Sequence, residues 1–152
     1  MTYSTADARQ DLLDAVADSI DDLARALAAL GAAYDLLDAH KAEELEVGMF
    51  GPVQVAYGRA RRTYGAFAKR HGLAVRELAK AAPGAPSGGL KGYVDDAVAA
   101  VTSADATLAT LQDSMLPIEV GDVELRAGLA EVRELVADVP QRARALSRTF
   151  GR

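Results

Sequence analysis

The side chains best suited to chemistry in this 152-residue chain form two small groups. The first could hold an anion. It comprises Arg70 and His71, then Arg76, then Ser87-Gly88-Gly89-Leu90-Lys91-Gly92, with Arg148 and Arg152 near the end of the chain. A helix that starts behind glycines and carries a lysine in its first turn offers free backbone N–H groups and a positive dipole end to negative charge. The stretch is not a nucleotide-binding phosphate loop, because Leu90 separates Gly89 from Lys91 and no strand precedes it.

The second group is a series of aromatic-glycine pairs at a seven-residue step: Phe50-Gly51, Tyr57-Gly58, Tyr64-Gly65 and His71-Gly72. Glycine inside a helix costs about 1 kcal/mol relative to alanine, so the column Gly51, Gly58, Gly65 implies a close object. That object is a neighbouring helix, residues 73–81 folded back, or a second subunit. A flat ligand lying beside Tyr57 and Tyr64 is the other reading.

Other chemistry is poorly provided for. Cysteine is absent, which removes thiolate nucleophiles, disulfides and cysteine metal sites. The two histidines, His40 and His71, fall near opposite ends of one helix, about 45 Å apart at the helical rise. His40 with Glu43 or Glu44 reads as a solvated corner. Six aspartates between Asp7 and Asp22 read as a solvated helix face and not as a cation trap. No inward Glu-x-x-His pair of the di-iron kind occurs, and no nucleophile motif is present. An enzyme, a metal and a cofactor are therefore not expected.

Charge is unevenly spread. Residues 5–38 hold eight aspartates and two arginines, a net −6, whereas 49–80 hold seven basic residues and one glutamate, a net +6. The two stretches should pair. A net charge of −5 and a pI near 5.0 argue against nucleic acid as the partner of Arg59, Arg61, Arg62, Lys69 and Arg70.

The elements that must position these groups are helices. Apolar residues are half of the composition, aromatics only 5%, and alanine abundant, a balance that favours close-packed helices over sheets. Leu13, Val16, Ile20, Leu23, Leu27, Leu30, Tyr34 and Leu37 alternate three and four apart, the seam of a helix over about 5–38. The same alternation at 50, 53, 57, 60, 64, 67 and 71 marks a second over 41–71, kinked at 48–52 around Pro52 and capped by Gly72. A third runs over 90–116 to Pro117. A fourth, over 122–150, is capped by Asp122 and kinked near Pro140. Residues 73–81 suit a short helix, and 82–89 a loop that is long for a bundle connection.

The fold class expected is all-α: one domain over 1–152, an antiparallel up-down-up-down four-helix bundle. In that topology Arg70, His71, Ser87, Lys91 and Arg148 meet at one end. No stretch reaches the level of a family motif. The leading functional expectation is a non-enzymatic protein that associates, with itself or with another protein, through Gly51, Gly58 and Gly65. The alternative is a binder of an anion or small molecule using Arg70, His71, Ser87, Lys91, Tyr57 and Tyr64. No apolar run approaches the roughly 20 residues of a membrane span, and the acidic N-terminus lacks the basic region of a signal peptide, so a cytoplasmic location is expected. Thirteen arginines against four lysines hint at a GC-rich, bacterial source.

Overall fold

The computed structural model describes residues 2–82 and 88–150, and they form an all-α bundle. Helix α1, Thr5–Tyr34, starts in a capping box: the Ser4 hydroxyl accepts from the Asp7 N–H, and the Asp7 carboxylate accepts from the Ser4 N–H. The Ser4 N–H and then the Ser4 hydroxyl, both donating to Asp7 Oδ2, hold the Asp7 carboxyl below its ordinary range. Leu12, Leu13, Val16, Ile20, Leu23 and Leu30 are buried along one face. The helix stops four residues earlier than its seam suggests. Asp38 instead caps the next helix by accepting from Lys41 N–H at 2.9 Å.

The second long helix is continuous but not uniform. It consists of α2, Ala39–Leu45, a π-helical turn at Glu46–Phe50, and α3, Gly51–His71. The expected kink takes the form of that wide turn. Pro52 has no N–H and its ring would clash with the carbonyl four residues back; the wider turn relieves this by sending the Gly51 N–H five residues back to Glu46 O. Gly72, at φ 62°, closes α3 in the left-handed conformation.

Helix α4 spans Gly89–Asp113. A short turn α5, Leu116–Glu119, leads to α6, Val123–Val136, and α7, Val139–Phe150. The break at 137–138 is the kink expected near Pro140. Met115 is 46% exposed at φ 68°, where the chain turns the corner.

Helix α1 packs on α3 and α4, and α6 packs on the other side of the same two. Helix ends fix the directions. Asp122, at the start of α6, bonds Arg70 and His71 at the end of α3. Arg9, at the start of α1, bonds Val120 O just before α6. At the other end Leu146 of α7 lies beside Gly48, and Lys91 at the start of α4 shares a groove with Arg148. Helices α1 and α6 therefore point one way, α3 and α4 the other. The bundle is up-down-down-up, and the up-down-up-down expectation is corrected.

The reason lies in residues 73–82, which are not helical. The end of α3 and the start of α4 are at opposite ends of the bundle. A nine-residue helix would advance only about 14 Å, whereas the same chain extended advances about 30 Å, close to the length of α3. This strap is tied to α1. Gln10 Nε2 donates to Ala74 O, the Arg76 guanidinium reaches Asp18 and Asp21 at 3.0 and 2.8 Å, and the Ala79 N–H donates to Asp21. On the α3 side the Arg76 N–H donates to the Tyr64 hydroxyl, and Leu73 and Leu78 rest on the core.

Helices α3 and α6 cross at Thr63 and Gly128. A Cβ on Gly128 would overlap the Thr63 hydroxyl and lie 2.8 Å from its methyl. Buried Thr63 is satisfied locally by donating to Arg59 O. Gly128→Ala is therefore expected to lower stability by about 1–3 kcal/mol, as overpacking does, with part of the loss recovered when Thr63→Ala is added. Urea denaturation of the single and double variants measures both effects.

Candidate functional site

Arg70 and His71 are already engaged. Arg70 forks onto Asp122, Nε to Oδ2 and Nη2 to Oδ1, each at 2.8 Å, and His71 Nε2 donates to Oδ2 at 3.0 Å. Asp122 also caps α6 by accepting from the Leu125 N–H. The rings of Phe67 and His71 pack 4.5 Å apart beneath this cluster. Burial works to raise the Asp122 pKa, but the hydrogen bonds from Arg70, Leu125 N–H and His71 outweigh it and hold the group at about 2. A carboxylate thus occupies the place where an external anion was expected, and the cluster fastens α3 to α6.

Lys91 stands at the other end of the bundle and pairs with Asp95 at 2.7 Å. Arg70 and His71 are therefore not brought together with it, which corrects the single anion-binding end. Arg148 does lie beside Lys91. Ser87 and Arg152 fall outside the described residues. Tyr64 is buried and its hydroxyl accepts from the strap, while Tyr57 is half-buried with the Arg61 guanidinium 5.5 Å above its ring.

The glycine column divides in two. Gly51 has an internal reason, since a Cβ there would sit 3.0 Å from Glu46 O of the π turn, and Gly72 needs its positive φ. Gly58 and Gly65 have none. A Cβ on Gly65 meets nothing within 4 Å, and one on Gly58 meets only Arg62 of its own helix at 3.6 Å. Among the described residues neither 73–82 nor another helix lies over them. Gln54, Val55, Arg61, Arg62, Ala66 and Lys69 are exposed on the same helix. The basic groups of α3 do not pair with α1 as their charges suggested. Arg59 and Arg70 go to Glu131 and Asp122, and the aspartates of α1 take Arg76 of the strap.

A feature the seams did not reveal is a groove between α4 and α7. It has a volume of about 710 Å³, with Val98 and Ala99 in its apolar lining above the buried Val94 and Ala143, and with Lys91, Asp95, Arg144 and Arg148 as its charged lining. A slot of about 280 Å³ between Leu90 and Phe150 continues it. The signal available in the sequence was Arg144-x-x-x-Arg148 on a helix segment without an acid.

Compared with protein-family models, curated proteins and solved structures, the chain matches none. What defines it is the all-α bundle itself. Among the described residues no helix is long and apolar enough to cross a membrane.

The depressed pKa of Asp122 fixes a pH dependence. A folded value below the ordinary 3.8 stabilises the fold fully above that pH, and the contribution disappears as pH falls through about 2. Asp122→Asn keeps a capping side chain but removes the charge. It is expected to cost up to about 2 kcal/mol at pH 7, reduced by solvent screening of the partly exposed pair, and to flatten the loss of stability between pH 4 and 2. Chemical denaturation across that pH range checks it.

Proposed function

We propose that the protein is a non-enzymatic helical bundle that works by association, with a helix of a second chain seated along Gly58 and Gly65 of α3. The observation that carries this reading is that both glycines lie in the middle of a regular helix, Gly65 facing open space among the described residues and Gly58 meeting only the end of the Arg62 side chain of its own helix. Each costs about 1 kcal/mol of helix stability, and among the described residues no neighbouring element uses the clearance. Small residues at a helix surface allow another helix to approach to about 8 Å, and this row is flanked by Arg61, Arg62 and Lys69. None of those three pairs with a carboxylate among the described residues. A partner helix bearing carboxylates beside small residues fits both features, and a second copy of this chain, with its aspartate-rich α1, is the first partner to test.

Two substitutions at these glycines separate fold from association. Gly58→Ala with Gly65→Ala is expected to raise monomer stability by about 1–2 kcal/mol, because the helix gains propensity and the new methyls meet no clash. Gly58→Gln with Gly65→Gln is expected to keep the fold and abolish assembly. Sedimentation velocity, with circular dichroism as the control for folding, reads both; assembly that survives the glutamines contradicts the reading.

A further inference from the structure

We propose that the groove between α4 and α7 binds a single-chain anionic amphiphile, a fatty carboxylate as a monomer, with its chain on the apolar floor and its carboxylate at Arg144 and Arg148. The site is separate from the α3 face and does not depend on it.

The groove follows from the break in the last helix. Leu125, Leu129, Val132 and Val136 of α6 fill the space against the core and are buried. After the two-residue break, α7 turns small side chains, Ala143 and Ser147, towards α4, and they leave the space unfilled. Val94 and Ala143 belong to the buried core beneath it at 2% and 3% exposure, so the apolar surface it offers is that of Val98 and Ala99, with Leu90 and Phe150 in the continuing slot. The continuing slot is the more enclosed and apolar part, formed by Leu90, Val94 and Phe150. A pocket of a few hundred Å³ that is mainly apolar with a few polar groups at its edge is the usual form of a small-ligand site.

Charge selects the ligand class. Helix α7 carries Arg142, Arg144 and Arg148 and no acid, in a chain whose net charge is −5. Arg144 and Arg148 lie one turn apart, both line the groove, and neither pairs with a carboxylate among the described residues. Like charges at that spacing repel and destabilise the helix unless an anion lies between them. The negative end of the helix dipole accounts for Arg148 in the last turn but not for Arg144 a turn earlier. On the opposite wall Lys91 is balanced by Asp95, which also lines the groove and bonds it at an exposed site, so the net positive charge of the groove is that of Arg144 and Arg148. Two planar guanidiniums suit a carboxylate head, and the apolar slot suits an alkyl chain and not a sugar or a nucleotide base.

Dodecanoate below its micelle concentration, titrated into the full chain by calorimetry, tests the proposal. One molecule is expected to bind per chain. Dodecanol, with the same chain and no charge, is expected to bind about tenfold or more weakly, as is dodecanoate to Arg144→Gln with Arg148→Gln. Both positions are exposed, so that variant should keep its melting temperature without ligand. Ser147→Trp, which fills the groove at a half-buried site, should also abolish binding. No binding of dodecanoate, equal binding of dodecanol, or undiminished binding to the arginine variant each overturns the proposal. So does binding to phosphatidylglycerol vesicles without binding of the monomer, which would place the partner in a membrane surface.

Discussion

Two consecutive long helices in this bundle, α3 and α4, run parallel, and such a pair requires a connection as long as the helices themselves. Residues 73–82 meet that requirement by giving up helical structure, and the penalty is a stretch of backbone without regular hydrogen bonding. Asp21 of α1, which accepts from the Ala79 N–H, Gln10, which donates to Ala74 O, and the Tyr64 hydroxyl, which accepts from the Arg76 N–H, provide part of the replacement. Arg76 is the centre of that arrangement, since its backbone N–H reaches α3 and its side chain reaches α1. The fold thus places the end of α3 and the start of α4 some 30 Å apart, and every candidate site is positioned by that separation.

The bundle is held at its seams by the same kind of contact repeated. Arg70 joins α3 to Asp122 of α6, Arg59 joins α3 to Glu131, Arg133 joins α6 to Asp105 of α4, and Arg9 joins α1 to the backbone at Val120. Each is at the edge of an apolar interface, where an ion pair adds at most about 1 kcal/mol if exposed and more when it forks and is partly covered, as at Asp122. The apolar seam supplies most of the stability; the arginines select which helix faces which and in what register. Against this pattern the cations left out of it carry information. Arg61, Arg62 and Lys69 along α3, and Arg144 and Arg148 on α7, make no such bond among the described residues.

Much of the fold was legible in the sequence because it is written in local terms. The three-four alternation gave the four long helices, Pro52 and Pro140 gave the interruptions, and Asp122 and Gly72 gave two of the ends. Connectivity was not legible, because a run such as Leu73 to Ala81 has good helix propensity and the reason it is extended is the distance it must cover. Propensity is a weak prior against such a tertiary demand. The anion site failed with the topology: Arg70, His71 and Lys91 are each basic groups at helix ends, but the ends are different ones. The glycine column was half legible. Its regular step suggested one cause, whereas Gly51 serves the π turn, Gly72 the cap, and only Gly58 and Gly65 remain open. The close approach that does occur, Gly128 on Thr63, gave no periodic signal because it is a single crossing point.

The topology decides whether the α3 face, the Asp122 cluster and the α7 groove are three separate places or one, so its direct measurement carries most weight. The chain has no cysteine, which allows spin labels at Lys69→Cys and Lys91→Cys, both exposed. Pulsed electron resonance between them is expected to give a distance on the order of 35 Å, the separation of opposite ends of the bundle at the helical rise. A distance under about 20 Å, as for neighbouring helix ends, would contradict the up-down-down-up bundle and return Arg70, His71 and Lys91 to a common site.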